Sequence, residues 1–368
     1  MDDIRRNALI IFNQVISPDK LLSLVNDEEY LCRVYDWVCR SDIGRLGNIL
    51  PNPGRHKDQL SLDFLHTQLE KAEKNSIRII TCLDDEYPER LKNIYQPPPV
   101  VYIRNSLIKS PSLGVVGTRK ATPYGKNAVS HIIPGLVSQG VSIISGMAYG
   151  IDYYAHRVCL ENGGYTAAVL GTGMDIVYPS QNQALYDMII KQNSCLVSEY
   201  PLGYTPTRYS FLQRNRIISG LSDGILVVES KERGGALSTA NFALEQGKDV
   251  FSIPGSIFSL QSAGCNNLIK QGAVPVTDHE DILFAMRNNI NIQEAFKETK
   301  KETRSITEEE ALVLELMDMG ITGFESLMDR LSFDIGYLYN LLFDLERKGY
   351  IRREAGNRYL RIICKGDN

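Results

Sequence analysis

A chain of 368 residues, 43% of them hydrophobic and 23% charged, with 29 Gly and 15 Pro, is long enough for two or three globular domains. That composition excludes a disordered or collagen-like chain, and the length excludes a small disulfide-stapled scaffold. The formal net charge of −4 argues against a protein held to nucleic acid or an anionic membrane by bulk charge, while leaving room for a local basic site.

Met1 to Arg6 carry two Asp and two Arg and lead into no signal-type apolar run. No later segment approaches the roughly 18 uncharged apolar residues of a spanning helix, so the sequence predicts a cytoplasmic protein without membrane contact. Residues 1–75 read as a helical module: Leu21, Leu22, Leu24 and Val25, then Tyr30, Leu31, Val34, Tyr35, Trp37 and Val38 recur near helical spacing. A loop with Pro51, Pro53 and Gly54 precedes a second helical run at 60–74. Strands are predicted at 77–81 and, after the Pro97-Pro98-Pro99 turn, at 100–103, as a covering segment for the main domain.

From Leu113 onward one pattern repeats: a short uncharged run rich in β-branched residues, a Gly-rich or polar corner, then a helix-length stretch. The runs are 113–116, 141–144, 166–170, 195–197, 224–228 and 250–253. Strands of this kind, separated by helices, predict an α/β domain with a doubly wound parallel sheet buried on both faces, spanning 76–285. Residues 286–305 lose apolar periodicity and read as a linker, and 306–368 form a C-terminal module. Seven cysteines without a CxxC pair predict reduced core thiols, with neither a metal site nor a disulfide framework, and nothing calls for a cofactor.

The charge is unevenly spread. Residues 1–75 hold 10 basic and 12 acidic residues, 76–305 hold 22 and 20, and 306–368 hold 8 and 12. Within the middle, 111–151 contain Arg119, Lys120 and Lys126 but no acid, and 200–222 contain Arg208, Arg214 and Arg216 but no acid. The acidity belongs to the two ends.

In a doubly wound sheet, ligands bind outside the carboxyl ends of the strands, where helix N-termini present unpaired N–H groups. The Gly corners Gly117-Thr118-Arg119, Ser145-Gly146, Gly171-Thr172-Gly173 and Gly234-Gly235 fall on that edge and together suit phosphate oxygens, although each alone equally serves a tight strand-to-helix turn. Ile176 stands where a dinucleotide fingerprint needs its third Gly, and Asn127 and Asp249 follow Gly-Lys pairs where a P-loop needs Ser or Thr. His156, four residues after Asp152, suggests a structural Asp to His hydrogen bond. In the run Phe211 to Ile218, Arg214 and Arg216 offer planar donors to phosphate, Asn215 adds an amide, Phe211 offers a ring to a base, and Arg208 adds a cation. This is chemistry suited to single-stranded nucleic acid; the competing reading is an ordinary amphipathic helix start with Phe211 in the core.

These blocks resemble the DNA-processing protein A (DprA/Smf) family. The resemblance is carried by VVGTRKATPYG at 115–125, SGMAYGIDYYAH at 145–156, AVLGTGMDIVYP at 168–179, SEYPLG at 198–203, FLQRNRIISGLS at 211–222, GGALSTANFALEQGKDVFSIPG at 234–255 and SAGCNNLIKQGA at 262–273. It implies an extended Rossmann-like domain that binds single-stranded DNA and loads the RecA recombinase onto it in natural transformation, in a cytoplasmic homodimer. The site residues it implies, together with the corner reading, are Gly117, Arg119, Lys120, Ser145, Gly146, Arg208, Phe211, Arg214, Asn215, Arg216, Gly235, Ser238 and Lys270.

The C-terminal module is predicted as a winged helix, with helices at 308–319, 325–331 and 333–348 and strands around 350–353 and 358–362 flanking Ala355-Gly356-Asn357. Its third helix carries Asp334, Asp344 and Glu346 against Arg347 and Lys348, which favours protein over DNA as its partner. A rival for the whole chain comes from Gly234-Gly235 with Ser238, Thr239 and Glu245, which resembles the phosphate corner of Rossmann-like phosphoribohydrolases acting on nucleoside monophosphates, with Arg233 in place of that loop's Pro.

Overall fold

The computed structural model describes residues 2–107, 111–288, 307–331, 333–347, 350–354 and 358–361. The chain divides into two compact units, Met1–Gln293 and Glu294–Asn368.

The first unit opens with helices α1 (Asp2–Phe12), α2 (Pro18–Val25), α3 (Glu28–Cys39) and α4 (Leu62–Lys74). Asp27 accepts the Tyr30 N–H at the start of α3, and Ser61 accepts that of Phe64 at the start of α4, each satisfying an otherwise orphaned donor. Then follow β1 (Ile77–Thr81), α5 (Glu89–Lys92), β2 (Val100–Arg104), β3 (Ser112–Val116), α6 (Pro123–Ser138), β4 (Ser142–Ser145), α7 (Ile151–Glu161), β5 (Thr166–Leu170), α8 (Gln183–Lys191) and β6 (Cys195–Ser198). The unit continues with α9 (Arg208–Leu221), β7 (Gly224–Val227), α10 (Gly235–Glu245), β8 (Asp249–Ser252), α11 (Ala263–Lys270), β9 (Val274–Pro275) and α12 (His279–Asn288).

The strands form one nine-stranded sheet in the order β1-β2-β6-β5-β4-β3-β7-β8-β9. From β6 to β9 every neighbouring pair is parallel, whereas β1 and β2 add antiparallel at the β6 end. The 77–81 and 100–103 runs are therefore part of the sheet and not a cover laid over it. From β3 the strands proceed outward through β4 and β5 to β6; the chain then returns to lay β7 on the other side of β3 and proceeds outward again. The reversal between β3 and β7 is a switch point, where helices diverge and leave a crevice at the strands' carboxyl ends.

Both faces are covered. Alternate strand residues split between two apolar clusters: Ile79, Val100, Ala168 and Leu196 pack with Leu9, Leu65 and Ile189 of α1, α4 and α8, while Ile80, Val101, Val169 and Val197 pack with Leu91, Ile217 and Ala240 of α5, α9 and α10. This period-two division is what turns every position of a strand inward and makes uncharged runs obligatory. The α1 segment, which the sequence reading passed over, contributes Ala8 to Phe12, all fully buried.

The second unit holds α13 (Glu308–Asp318), α14 (Phe324–Arg330), α15 (Ile335–Arg347) and an antiparallel pair, β10 (Ile351–Glu354) with β11 (Arg358–Arg361). Thr307 and Glu310 exchange side chain to backbone bonds in a capping box that starts α13. Its core is Val313, Leu314, Met317, Leu327, Leu338, Leu342, Leu345, Ile351 and Tyr359. The predicted strand-linking Ala355-Gly356-Asn357 lies outside the described residues, as do linker residues 289–305; residues 286–288 belong to α12.

Candidate functional site

At the switch point a groove of about 610 Å³ opens along the carboxyl ends of the strands. It is lined by Gly117, Thr118 and Arg119 after β3, by Ala148 and Asp152 at the start of α7, and by Tyr178. Helix α9 gives Arg208, Phe211, Leu212, Arg214 and Asn215, and the β7–α10 connection gives Ser230, Lys231, Arg233, Gly234 and Gly235.

Helix α9 is the element that organises it. Thr207 and Ser210 form a reciprocal cap at its N-terminus, and Ser210 Oγ also donates to the Gly171 carbonyl at 2.7 Å, tying the helix to the corner after β5. The next residue, Phe211, is thereby laid over that corner: a Cβ on Gly171 would stand 2.8 Å from its ring. The half-buried ring packs on Tyr178 with centroids 5.3 Å apart, and the Arg119 and Arg214 guanidinium carbons lie 5.3 and 6.0 Å from its centroid. Cations over an aromatic face are held by the ring quadrupole, so Arg119 remains exposed yet oriented toward the groove.

Arg214 lines the floor but is only 3% exposed. Its Nη1 donates to the Gly146 carbonyl at 2.5 Å and to the Val169 carbonyl, and a Cβ on residue 146 would intrude to 2.5 Å from the guanidinium. Burial pushes its pKa down to about 10, with Asp152 opposing, so it stays charged at neutral pH. Asp152 is the one carboxylate among the described lining residues; burial raises its pKa, opposed first by the charge of Arg214. Gly146 thus serves close packing by Arg214, as Gly117 serves Ile151, whose side chain a Cβ would meet at 2.5 Å. Gly235 differs: nothing lies within 4 Å of a Cβ built there, and it opens helix α10 behind the N-cap Gly234, which supplies no side-chain cap. At this last corner the Gly234 N–H donates to the Lys231 carbonyl and the Leu237 N–H to the Gly234 carbonyl, each at 3.1 Å, so the first-turn donors that an uncapped helix leaves over are those of Gly235 and Ala236.

The other expected residues are placed differently. Arg216 is 1% exposed and its Nη2 pairs with Glu199 Oε2 at 2.5 Å, inside the core; its Nε and Nη1, and Glu199 Oε1, have no hydrogen-bond partner among the described residues. That guanidinium is spent on a buried carboxylate and does not reach the groove. Ser145 is fully buried and donates to the Val115 carbonyl. Asn215 Nδ2 donates to Ser238 Oγ at 2.8 Å, and Ser238 donates to the Gly235 carbonyl at 2.7 Å, a chain that braces α9 against the α10 N-terminus. Lys120 and Lys270 are exposed but do not line the groove. His156 is bonded by its Nδ1 to Thr166 Oγ1 at 2.6 Å, replacing the expected partner Asp152; because Thr166 donates to the Ile143 carbonyl, Nδ1 carries the proton. Burial pushes the His156 pKa down to about 3, assisted by the Arg214 charge.

Sequence reading missed Tyr178, Lys231 and Arg233. The signal for the two cations was their place directly before the Gly234-Gly235 corner, masked by Glu232 between them. Among the described residues, no group of three or more His, Cys, Asp or Glu could hold a metal ion, and no helix is long and apolar enough to cross a membrane.

Residues 78–287 match the family described as DNA recombination-mediator protein A. The chain is 45% identical over 205 residues to the DNA processing protein DprA of Streptococcus pneumoniae, a match covering 55% of this chain and 72% of that one. It is 40% identical over 299 residues to DprA of Bacillus subtilis, covering 77% of this chain and 96% of that one. Among solved structures, S. pneumoniae DprA superposes with a TM-score of 0.65 at 34% identity, over 76% of this chain and 96% of its own. The Helicobacter pylori DNA processing protein A, solved to address its single-stranded DNA binding mode, superposes with a TM-score of 0.52 at 26% identity, over 58% of this chain and 96% of its own. The chain belongs to the DNA recombination-mediator protein A family, that of the DprA and Smf proteins.

Proposed function

We propose that this chain binds single-stranded DNA along the switch-point groove and acts as a recombination mediator that loads RecA onto incoming DNA in natural transformation. The observation that carries the reading is the groove wall: Arg119, Arg208, Lys231 and Arg233 line the same groove as the Phe211–Tyr178 ring pair, with Arg119 over the Phe211 ring, against one buried carboxylate. Phosphates fit the cations and the open N–H groups at Gly235, and a base fits the rings, the combination that binds a strand without reading its sequence. A cytoplasmic homodimer is part of the same proposal. Asn215 and Ser238 then act by holding the α9 and α10 N-termini in place, and Arg214 by shaping the second corner.

A binding role without catalysis suits this groove better than the phosphoribohydrolase reading. Glu245, needed beside the phosphate corner by that reading, is exposed at the other end of α10, ten residues or about 15 Å from Gly235. For the second unit we propose a winged helix that serves a protein contact, since α15 carries Asp344 and Glu346 where a helix entering a DNA groove needs cations.

The test titrates the full chain with labelled oligothymidine and with duplex DNA of equal length across a salt series. Single strands bind more tightly, and Arg119→Ala/Arg233→Ala lowers their affinity about 10- to 100-fold while flattening the log–log salt slope by about 1.4, the share of two phosphates. Equal affinity of the parent and the double variant overturns the assignment.

A further inference from the structure

The most exposed apolar side chains of the first unit lie together in the β8–α11 loop: Ile257 is 84% exposed, Phe258 91% and Leu260 76%. A ring so fully in water gives up the stabilisation that burying a Phe supplies, and clustered apolar exposure of this kind marks a contact surface. The loop is held, not dangling. Asn266 closes its base by donating to the Gly255 carbonyl at 3.0 Å and accepting the Gly255 N–H at 3.1 Å. Ser259 N–H donates to the Ser256 carbonyl and Phe258 N–H to Ser256 Oγ, forming a tight turn at whose tip Phe258 stands.

The loop is also built into the groove wall. Ser230, a lining residue, donates its N–H to the Gln261 carbonyl and accepts the Gly264 N–H, both at 2.8 Å. On the other flank Tyr124, in the first turn of α6, donates its hydroxyl to the Pro254 carbonyl at 2.5 Å. Phe258 is three residues from Gln261, so its backbone lies within about 10 Å of that wall. The wall's own cations, Lys231 and Arg233, come next in the chain after Ser230.

We infer that Phe258, flanked by Ile257 and Leu260, is a second nucleobase platform, on which a strand that leaves the Phe211 end of the groove past Lys231 and Arg233 stacks a further base. The inference rests on the single-stranded DNA reading above. The segment from Pro254 to Ser262 carries no charged residue, so nothing there repels a phosphate chain, and base-to-ring stacking is indifferent to sequence, as a mediator requires. A second copy of the chain fits this surface less well. A two-fold contact through the loop would bring together the exposed Lys231-Glu232-Arg233 segments of both copies, each with a net positive charge, at like-charge cost.

The experiment measures affinities of the full chain for an oligothymidine series, short to long, with parent, Phe258→Ala and Phe258→Trp. At 91% exposure neither substitution touches the core. Phe258→Ala is expected to lower affinity for long strands roughly five- to tenfold, to spare the shortest ones, and to leave the salt slope unchanged because no phosphate contact is lost. Phe258→Trp restores binding, and 5-iodouridine placed along a long strand photo-crosslinks to residue 258 at one position. Unchanged affinity at every length for Phe258→Ala, while Arg119→Ala/Arg233→Ala still weakens binding, overturns the platform and leaves the groove assignment standing. If the cation double variant itself binds like the parent, the platform falls with the groove. If Phe258→Ala turns a dimer into a monomer in sedimentation, the ring belongs to the copy-to-copy contact and the inference is wrong.

Discussion

Helix α9 separates two layers of arginines with opposite fates. At its groove end Arg208 is exposed, as are Arg119, Lys231 and Arg233 across from it; on its inner side Arg214 and Arg216 are 3% and 1% exposed. All three helix arginines come from one acid-free stretch of sequence. The difference teaches that a basic stretch is not a basic surface. The outer cations face the groove, whereas of the inner pair Arg214 donates to two backbone carbonyls and Arg216 donates its Nη2 to Glu199. The two layers should therefore separate experimentally, the outer one governing affinity and the inner one stability.

The largest expected effect lies in the inner layer. Glu199→Ala strands the Arg216 charge in the core and should cost about 3–5 kcal/mol in urea unfolding. Replacing both partners with apolar residues of similar size, Glu199→Leu with Arg216→Met, should recover most of that loss, because neither ion then needs desolvation. Single-strand affinity of whatever remains folded should be unchanged in both variants. A Glu199→Ala protein as stable as the parent would mean that Arg216 finds another anion and that the division into layers fails.

Second in size is the converse. Arg119→Ala/Arg233→Ala should lose tens-fold in affinity yet unfold within about 0.5 kcal/mol of the parent, as exposed substitutions do. A large stability loss would place one of these residues in the framework.

A smaller effect tests the inner layer by pH. His156 is fully buried with its pKa down at about 3 against an ordinary value of 6.5. Below pH 6.5 the unfolded chain takes up a proton that the folded one refuses, so this stability is complete above 6.5 and is lost as pH falls toward 3. Between pH 6.5 and 5 the loss should be on the order of 2 kcal/mol in urea titrations, and His156→Gln should abolish that portion.

What the sequence made legible follows the range of the interactions involved. The central strands could be read because burial on both faces leaves no room for charge within a run; 166–170 matches β5 residue for residue. Strand β9, two residues ending in Pro275, carries no such signal. The 77–81 run was readable as a strand, but its place was not, because β1 joins through β2 to β6, a pairing decided more than ninety residues further on. Of the residues that line the groove, residue type and Gly punctuation picked out Gly117, Gly235, Phe211 and Arg119. They could not tell that Arg216 faces Glu199, since both lie near a strand end or helix and only packing chooses between groove and core.

The smallest expected effect concerns a second hollow. Along β1, the opposite end of the sheet, a cavity of about 780 Å³ is lined by Asp3, Glu73, Asp84, Asp85 and Glu86 against Arg6 and Arg78. It is larger than the 610 Å³ groove, so size does not mark the strand's path; the sign of the charge does. Five strand spacings separate β1 from β3 in the sheet order, about 24 Å, against a screening length of about 8 Å at physiological salt. Glu73→Gln/Asp85→Asn, both exposed positions, should therefore change single-strand affinity less than about twofold at 0.15 M salt, with a somewhat larger gain at low salt. A tenfold gain at 0.15 M would mean that DNA runs over this acidic edge, and the contrast between the two hollows would no longer identify the site.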